Sequence, residues 1–367
     1  MLPTLMAESA RASRHAAVVA CLEREGLAAL LVSHLPNIRW LTGFTGSAGV
    51  LLVGPAGMTL ITDFRYASQA PQEVGQAADV VIERLNVPER LRRAIEAMAP
   101  ESLGIEAHVL TVREAERLST GLRTTVVPTS DLVERLRQVK DEFEVSAIRA
   151  AAVLAHEALA AVLPTVAAGD REIEVAARLE SALRMRGSEW HPFPTIVASG
   201  PRAAMPHART STREIHRGEL LLIDFGAQVD GYCADITRTV ALGPADDRQR
   251  SVYQVVQEAQ LAARQGVHAG MTGREADAIA RDLIAARGYG EAFGHSLGHG
   301  LGLEVHEGPR LAATAEAILP VGAVVTVEPG IYLPGWGGVR LEDDIWLGVD
   351  GPVLLSDGRT DLIELDA

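Results

Sequence analysis

Cysteine is nearly missing from this sequence: Cys21 and Cys233 are the only two in 367 residues. Two thiols cannot build a disulfide framework, and neither has a second ligand at metal-binding spacing. A reducing, cytoplasmic setting is therefore expected. Basic residues are in deficit, with 34 Lys and Arg against 48 Asp and Glu and a net charge of −14. A surface of that sign repels nucleic acid and anionic membrane, so neither is expected as a partner, whereas cationic substrates and metal ions suit it. No apolar run reaches the roughly 18 residues that a bilayer span needs. The N-terminus lacks a basic region followed by an apolar run, so no signal peptide is expected. Fixed-period repeats and low-complexity tracts are missing too. What is present is 47% apolar residues, over a length that suits two domains or one large one. That composition predicts a globular chain with a sizeable core.

Along the chain, a helix is expected over 7–26, ending at Gly26, then a short strand over 27–33. Residues 37–49 read as a glycine-punctuated loop, and 50–53 and 58–62 as a hairpin around Gly-Pro-Ala-Gly. Strands near 80–82 and 125–127 alternate with helices near 88–98 and 112–118, which predicts a layered α/β domain. The segment from Ser130 to Glu134 has capping-box spacing. The domain boundary is placed there, giving 1–130 and 131–367. Helices are expected over 140–164, 170–186, 246–266 and 273–288, with strands over 220–228, 231–242, 323–328 and 339–346. Segregated strands and helices make the second domain α+β.

The chemistry gathers around His295-Ser-Leu-Gly-His299-Gly-Leu-Gly-Leu-Glu-Val-His306-Glu307. Imidazole is a metal ligand or proton carrier near neutral pH, and glycine lets backbone pass close to a ligand. Four acids sit in apolar surroundings: Asp224, Asp235, Glu328 and Glu342. An unpaired carboxylate in a buried strand costs several kcal/mol. Asp235 follows Asp224 by eleven residues, across the turn Asp230-Gly231, and no Lys or Arg lies between Leu220 and Ala234. Paired strands lie about 5 Å apart, so the two carboxylates are expected to face each other and repel unless a cation intervenes. Four acids and one imidazole suit two hard or borderline divalent ions, with Mn²⁺ expected and Co²⁺ or Zn²⁺ as alternatives. Each residue alone could be an ordinary packed or surface residue.

The order Asp224, Asp235, His299, Glu328, Glu342 resembles the ligand signature of the pita-bread metallopeptidases, the family of methionine aminopeptidase and the proline-specific peptidases. The His295–Glu307 stretch, Met205-Pro-His207-Ala and Gly338-Val-Arg-Leu-Glu-Asp343 resemble its proline-specific branch. The Asn37–Gly49 segment resembles the creatinase-type N-terminal domain. The resemblance implies a pita-bread catalytic domain over 131–367, preceded by a smaller creatinase-like layered α/β domain over 1–130. It implies that Asp224 holds one metal, that His299 and Glu328 hold the other, and that Asp235 and Glu342 bridge them. His207 and His306 match histidines that bind substrate and stabilise the tetrahedral intermediate. His295 matches a residue on the leaving-group side, and Arg340 an arginine that orients the acids. A homodimer is implied in the same way. The remaining histidines, His34 and His108 among them, are left as surface or core residues.

The expected activity is hydrolysis of the N-terminal Xaa-Pro bond by a metal-bridged hydroxide, with Glu328 also passing a proton to the leaving nitrogen. Peptides with proline at the second position are the expected partners. An Xaa-Pro aminopeptidase is preferred over an Xaa-Pro dipeptidase, because only 25 residues follow Glu342 to roof the leaving-group side. A dipeptidase would need a cation to read the product carboxylate, and Arg310 is the candidate. Methionine aminopeptidase needs no N-terminal domain, and creatinase or a non-catalytic module on this fold needs no intact ligands. Gly294-His-Ser-Leu-Gly298 matches a Gly-x-Ser-x-Gly elbow but lacks the apolar strand before it, and the last His that could follow the serine and an acid is His306, only ten residues on.

Overall fold

A computed structural model describes residues 2–366. They fall into two compact units divided between Arg137 and Gln138. The helix Leu132–Arg137, which the sequence reading puts in the second domain, belongs to the first unit.

The first unit is a six-stranded sheet clothed by helices. Its chain order is α1 (Leu2–Glu25), β1 (Ala29–Val32), α2 (Leu35–Thr42), β2 (Val50–Gly54), β3 (Gly57–Asp63), α3 (Gln69–Val74), β4 (Asp79–Glu83), α4 (Val87–Met98), β5 (Ser102–Glu106), α5 (Val112–Ser119), β6 (Thr125–Thr129) and α6 (Leu132–Arg137). The strand order is β4-β3-β2-β1-β5-β6, with β1 and β5 parallel neighbours. Leu31, Leu52, Ile61, Leu103 and Ile105 pack against Leu91 and Ile95 of α4. Residues 35–42, expected mostly as loop, form a helix. Pro36 starts it with a pre-set φ, Ile38, Trp40 and Leu41 bury its inner face, and Gly43 at φ 81° ends it. Strand β5 escapes the sequence reading because Gly104 interrupts a short apolar run.

The second unit holds two larger sheets, each with its own helix pair, and a small two-stranded one. It runs α7 (Glu142–Val162), α8 (Glu172–Met185), β7 (Ile196–Ser199), β8 (Leu220–Val229), β9 (Tyr232–Leu242), α9 (Asp247–Gly266), α10 (Gly273–Ala286), β10 (Gly298–Gly300), β11 (Glu307–Leu311), β12 (Val324–Val327), β13 (Gly330–Leu333), β14 (Gly337–Arg340), β15 (Asp343–Gly348), β16 (Gly351–Leu354) and β17 (Ile363–Leu365). One larger sheet has the order β17-β9-β8-β7, the other β11-β10-β12-β15-β16, and β13 pairs with β14 alone. Ala151, Ala155 and Leu159 of α7, with Val175 and Leu179 of α8, cover the first through Leu221, Ile223 and Ile236. Val252, Val256 and Ala259 of α9, with Ala276 and Ala280 of α10, cover the second through Val325, Val327 and Ile345. The segment Glu142–Thr165 is apolar and long enough, by length and composition, to cross a membrane. This corrects the sequence reading, which found no such run because the charged residues of α7 interrupt it; the alanine face of α7 is spent on the sheet.

The expected strand over 339–346 is two strands in different sheets, β14 and β15, broken at Leu341-Glu342. A buried ion network fixes this break. Asp343 accepts from Arg238 Nη2 at 2.8 Å, Arg264 Nη1 at 2.9 Å and Ser356 Oγ at 3.0 Å. Arg238 also donates to the Glu342 carbonyl at 2.7 Å. Asp343 is fully buried and Arg238 nearly so. Removing one partner strands a buried charge, which costs about 3–5 kcal/mol. Asp343→Ala is therefore expected to lower the stability of the chain by that amount in chemical denaturation, and Asp343→Asn by less. Equal denaturation midpoints for Asp343→Ala and the parent would show that the network does not hold the break.

Candidate metal centre

Strands β8 and β9 turn through Asp230-Gly231, with Val229 opposite Tyr232. This register sets Asp224 opposite Thr237 and Asp235 opposite Gly226. The two carboxylates are thus diagonal neighbours on one face, offset by two residues, rather than directly facing as expected. Asp235 is buried at 4% exposure, Asp224 at 9% and Glu342 at 2%.

His299 comes from the other sheet, in the middle of β10. A side chain on Gly298 would collide with the Thr326 carbonyl oxygen, and one on Gly300 with that of Gly308. The glycines around His299 are there for close backbone approach. The His299 N–H donates to Thr326 Oγ1 at 3.1 Å. Its ring Nδ1 lies 3.1 Å from the Gly300 carbonyl, which can only accept, so Nδ1 carries the proton. Nε2 is left with its lone pair directed at the acids, 3.4 Å from Glu328 Oε1 and 3.8 Å from Asp235 Oδ2. Burial, then the neighbouring His306, holds the His299 pKa down to about 4, so the ring is neutral and ready to ligate.

Ligand atoms of Asp235, His299 and Glu342 lie within 4.8 Å of one another. Glu328 joins them through His299. Asp224 is held differently: Arg340 Nη2 donates to its Oδ2. The cation missing from Leu220–Ala234 thus arrives from β14. It satisfies one oxygen only, since Asp224 Oδ1 and Asp235 Oδ1 are buried without hydrogen-bond partners. Crowding shows in the acids' proton affinities. Burial, reinforced by Glu342, Asp224 and Glu328, pushes the Asp235 carboxyl well up. Burial and Glu342 do the same to Glu328, and burial and Asp224 raise Glu342 to about 8. Orphaned oxygens, mutually repelling carboxylates and a neutral, aimed imidazole form a donor set that fits divalent metal ions.

The other expected residues surround this cluster. The His306 ring is 4.4 Å from that of His299, and His306 is exposed. His207 is exposed as well, and close enough to add to the burial that lowers the pKa of His306 and of His295. His295 Nδ1 donates to the Ser296 carbonyl at 2.8 Å, and its Nε2 accepts from Tyr332 Oη at 2.8 Å. Arg310 is exposed and stands directly opposite His299 across the β10–β11 pair, so the two side chains share a face.

Sequence reasoning missed Thr237, Tyr332 and Asp344. Thr237 donates to Glu342 Oε2 at 2.6 Å and accepts from Arg340 Nε at 3.1 Å. Asp344 is fully buried and accepts from the Asp235 N–H at 3.2 Å. A run Glu-Asp-Asp at 342–344 offers no local sign that all three acids point inward.

The pattern of metallopeptidase family M24 matches residues 146–348, and that of the creatinase/prolidase N-terminal domain matches 14–139. An Xaa-Pro dipeptidase of Pyrococcus horikoshii is 36% identical over 348 residues, covering 94% of this chain and 97% of its own. The solved structure of an Xaa-Pro dipeptidase from Bacillus anthracis superposes with a TM-score of 0.94 at 39% identity, over 97% of this chain and 100% of that one. An X-Pro aminopeptidase from Thermotoga maritima gives 0.87 at 37% identity, over 94% and 99%. With a buried acid–histidine cluster that fits divalent ions and likeness along nearly its whole length, the chain belongs to metallopeptidase family M24, its catalytic domain preceded by a creatinase/prolidase N-terminal domain.

Proposed function

We propose that this chain is a dinuclear-metal Xaa-Pro peptidase, and that dipeptides are its preferred substrates. The observation that carries the dipeptide preference is Arg310, an exposed cation beside His299. It is suitably placed to read a carboxylate on a substrate that ends at proline. Relatives named Xaa-Pro dipeptidase support the same reading. The Xaa-Pro aminopeptidase preferred from the sequence remains the second reading, supported by the Thermotoga maritima relative.

Asp224, Asp235, His299, Glu328 and Glu342 would hold the ions, with Asp235 and Glu342 shared between them, and Mn²⁺ is the ion proposed. Bound there, such ions lower the pKa of a water and polarise a carbonyl. The chain's own residues do the rest. His207 and His306 present donors to the scissile carbonyl oxygen as charge develops on it. Glu328 carries a proton to the leaving nitrogen, which in an Xaa-Pro bond is a tertiary amide without N–H. The acids attract the substrate's free ammonium. A cytoplasmic homodimer is proposed, the compartment from the scarcity of cysteine and the dimer from the family resemblance, and the net charge of −14 disfavours nucleic acid or anionic membrane as partner.

Rates on Ala-Pro, Ala-Pro-Ala and a longer Xaa-Pro peptide, at matched concentrations with Mn²⁺ added, test the substrate preference. Ala-Pro is expected to be cleaved fastest, and Arg310→Ala to lose most of that advantage through KM. Faster cleavage of the longer peptides would return the assignment to aminopeptidase.

The division of roles is tested by metal content alongside activity. Asp235→Ala and Glu342→Ala are expected to lose activity and to lower occupancy at both ions. His207→Ala and His306→Ala should keep both ions and lose about 10²–10³ in rate, the usual cost of one oxyanion donor. Full metal content in Glu342→Ala would remove it from the ligands, and metal loss in folded His306→Ala would make that residue one.

A further inference from the structure

The N-terminal unit contains a second cluster of donor side chains, sharing no residue with the acid centre. His34 is the residue from which α2 starts, two positions beyond the end of β1. His108 lies two positions beyond the end of β5. Glu134 is in α6, and its carboxylate faces the two histidines instead of closing a capping box. One ligand atom from each of the three lies within 4.8 Å of the others. Glu134 Oε1 is 3.1 Å from His108 Nε2 and 3.5 Å from His34 Nδ1. The two rings meet edge to face with centroids 5.2 Å apart.

The position in the sheet favours a ligand site. β1 and β5 are parallel neighbours, and the chain leaves them in opposite directions, from β1 to β2 on one side and from β5 to β6 on the other. The crevice at the carboxyl ends of two such strands is where open α/β sheets bind their ligands. His34 and His108 are the residues that the two strand ends deliver there.

The cluster is also held in place. Glu106, at 3% exposure, accepts from the N–H groups of Ser33 and His34 at 2.6 and 2.7 Å and from Asn37 Nδ2 at 2.6 Å. Asn37 Nδ2 donates as well to Glu134 Oε1 at 2.5 Å, and Arg137 Nη1 donates to Asn37 Oδ1 at 2.7 Å. Burial pushes the Glu134 carboxyl up, but the neighbouring His34 imidazole and the Asn37 amide outweigh it and hold its pKa at about 2. The carboxylate is therefore ionised. Its second oxygen, Oε2, is buried with no hydrogen-bond partner. A His–Glu ion pair accounts for Oε1 and leaves Oε2 unexplained, and an unsatisfied buried acceptor costs about 1–3 kcal/mol or more when charged.

A metal ion in the cluster gives this ionised carboxylate a cationic partner. Zinc bound tetrahedrally by nitrogen and oxygen at about 2.0–2.1 Å sets neighbouring ligand atoms roughly 3.3 Å apart. The two nitrogen-to-oxygen separations at Glu134 Oε1 fall on either side of that value. The His108 side chain is 38% exposed, which leaves an entry path and a fourth position open to water. We propose that His34, His108 and Glu134 form a binding site for one Zn²⁺ ion in the N-terminal unit. Such an ion ties the β1–α2 turn, the β5–α5 loop and α6 together, so it reinforces that unit.

The experiment uses the full-length protein, loaded with Mn²⁺, exposed to Zn²⁺ and desalted. Elemental analysis then gives Mn plus Zn per chain. Exchange at the acid centre leaves this sum unchanged, so only an additional site raises it. The parent is expected to hold one ion more than His108→Gln, whose exposed ring carries little packing, and one more than Glu134→Gln. Zinc is also expected to raise the parent's thermal midpoint more than that of either variant. Equal sums in the parent and in folded His108→Gln would overturn the proposal and leave the cluster as an ion pair.

Discussion

The guanidinium of Arg340 is the interaction on which the acid centre depends. Buried at 3% exposure, it donates to Asp224 on β8, to Thr237 Oγ1 on β9, to Tyr332 Oη on β13 and to the Pro206 carbonyl just before His207. Through Thr237 it reaches Glu342, and through Tyr332 it reaches His295. One planar cation with five donors thus sets the positions of residues from the four-stranded sheet, from the β13–β14 pair and from the loop that carries His207. Lysine could supply the charge but not the forked geometry, so the arrangement requires this side chain and not merely a positive one.

Arg340 does not neutralise the cluster. Asp224, Asp235, Glu328, Glu342 and Asp344 outnumber it, and burial, reinforced by their mutual repulsion, raises the proton affinity of Asp235, Glu328 and Glu342. Such a group is tolerable because the surrounding scaffold is over-determined. Asp343, next in sequence, is fully satisfied by Arg238, Arg264 and Ser356 on the far side of the strand break. Neighbouring acids thus have opposite tasks: Asp343 is paired and structural, while Glu342 and Asp235 keep donor capacity for cations. The metal centre is assembled at the expense of local electrostatic stability, and binding returns that free energy.

Much of this was legible in the sequence, and the physical reason is locality. The turn Asp230-Gly231 sits between two apolar runs, so β8, β9 and the shared face of their carboxylates could be read directly. The glycines flanking His299 announced close backbone approach. The α+β character of the catalytic half, with its helices apart from its strands, followed from periodicity. What the residues alone did not reveal was long-range. Arg340 reaches Asp224 across 116 positions, and its orienting role came from family resemblance, not from any local pattern. The diagonal offset of Asp224 and Asp235 depends on a register that composition does not fix. Tyr332, Thr237 and Asp344 serve the site through contacts that no motif encodes.

The two donor clusters mark the limit of such reading. The acid centre draws on strands whose apolar surroundings make each acid conspicuous, so burial of charge can be inferred before any contact is known. His34 stands between Ser33 and Leu35, just past an expected strand, and His108 between Ala107 and Val109, in a stretch without any marked pattern. Glu134 lies in a helix where a charged residue is unremarkable. Nothing in the sequence makes any of the three costly, and their cost arises only when adjacent parallel strands deliver both imidazoles to one crevice and α6 buries a carboxylate against them. A site made expensive by its local sequence can be found by reading, whereas one made expensive by topology becomes visible only in the fold.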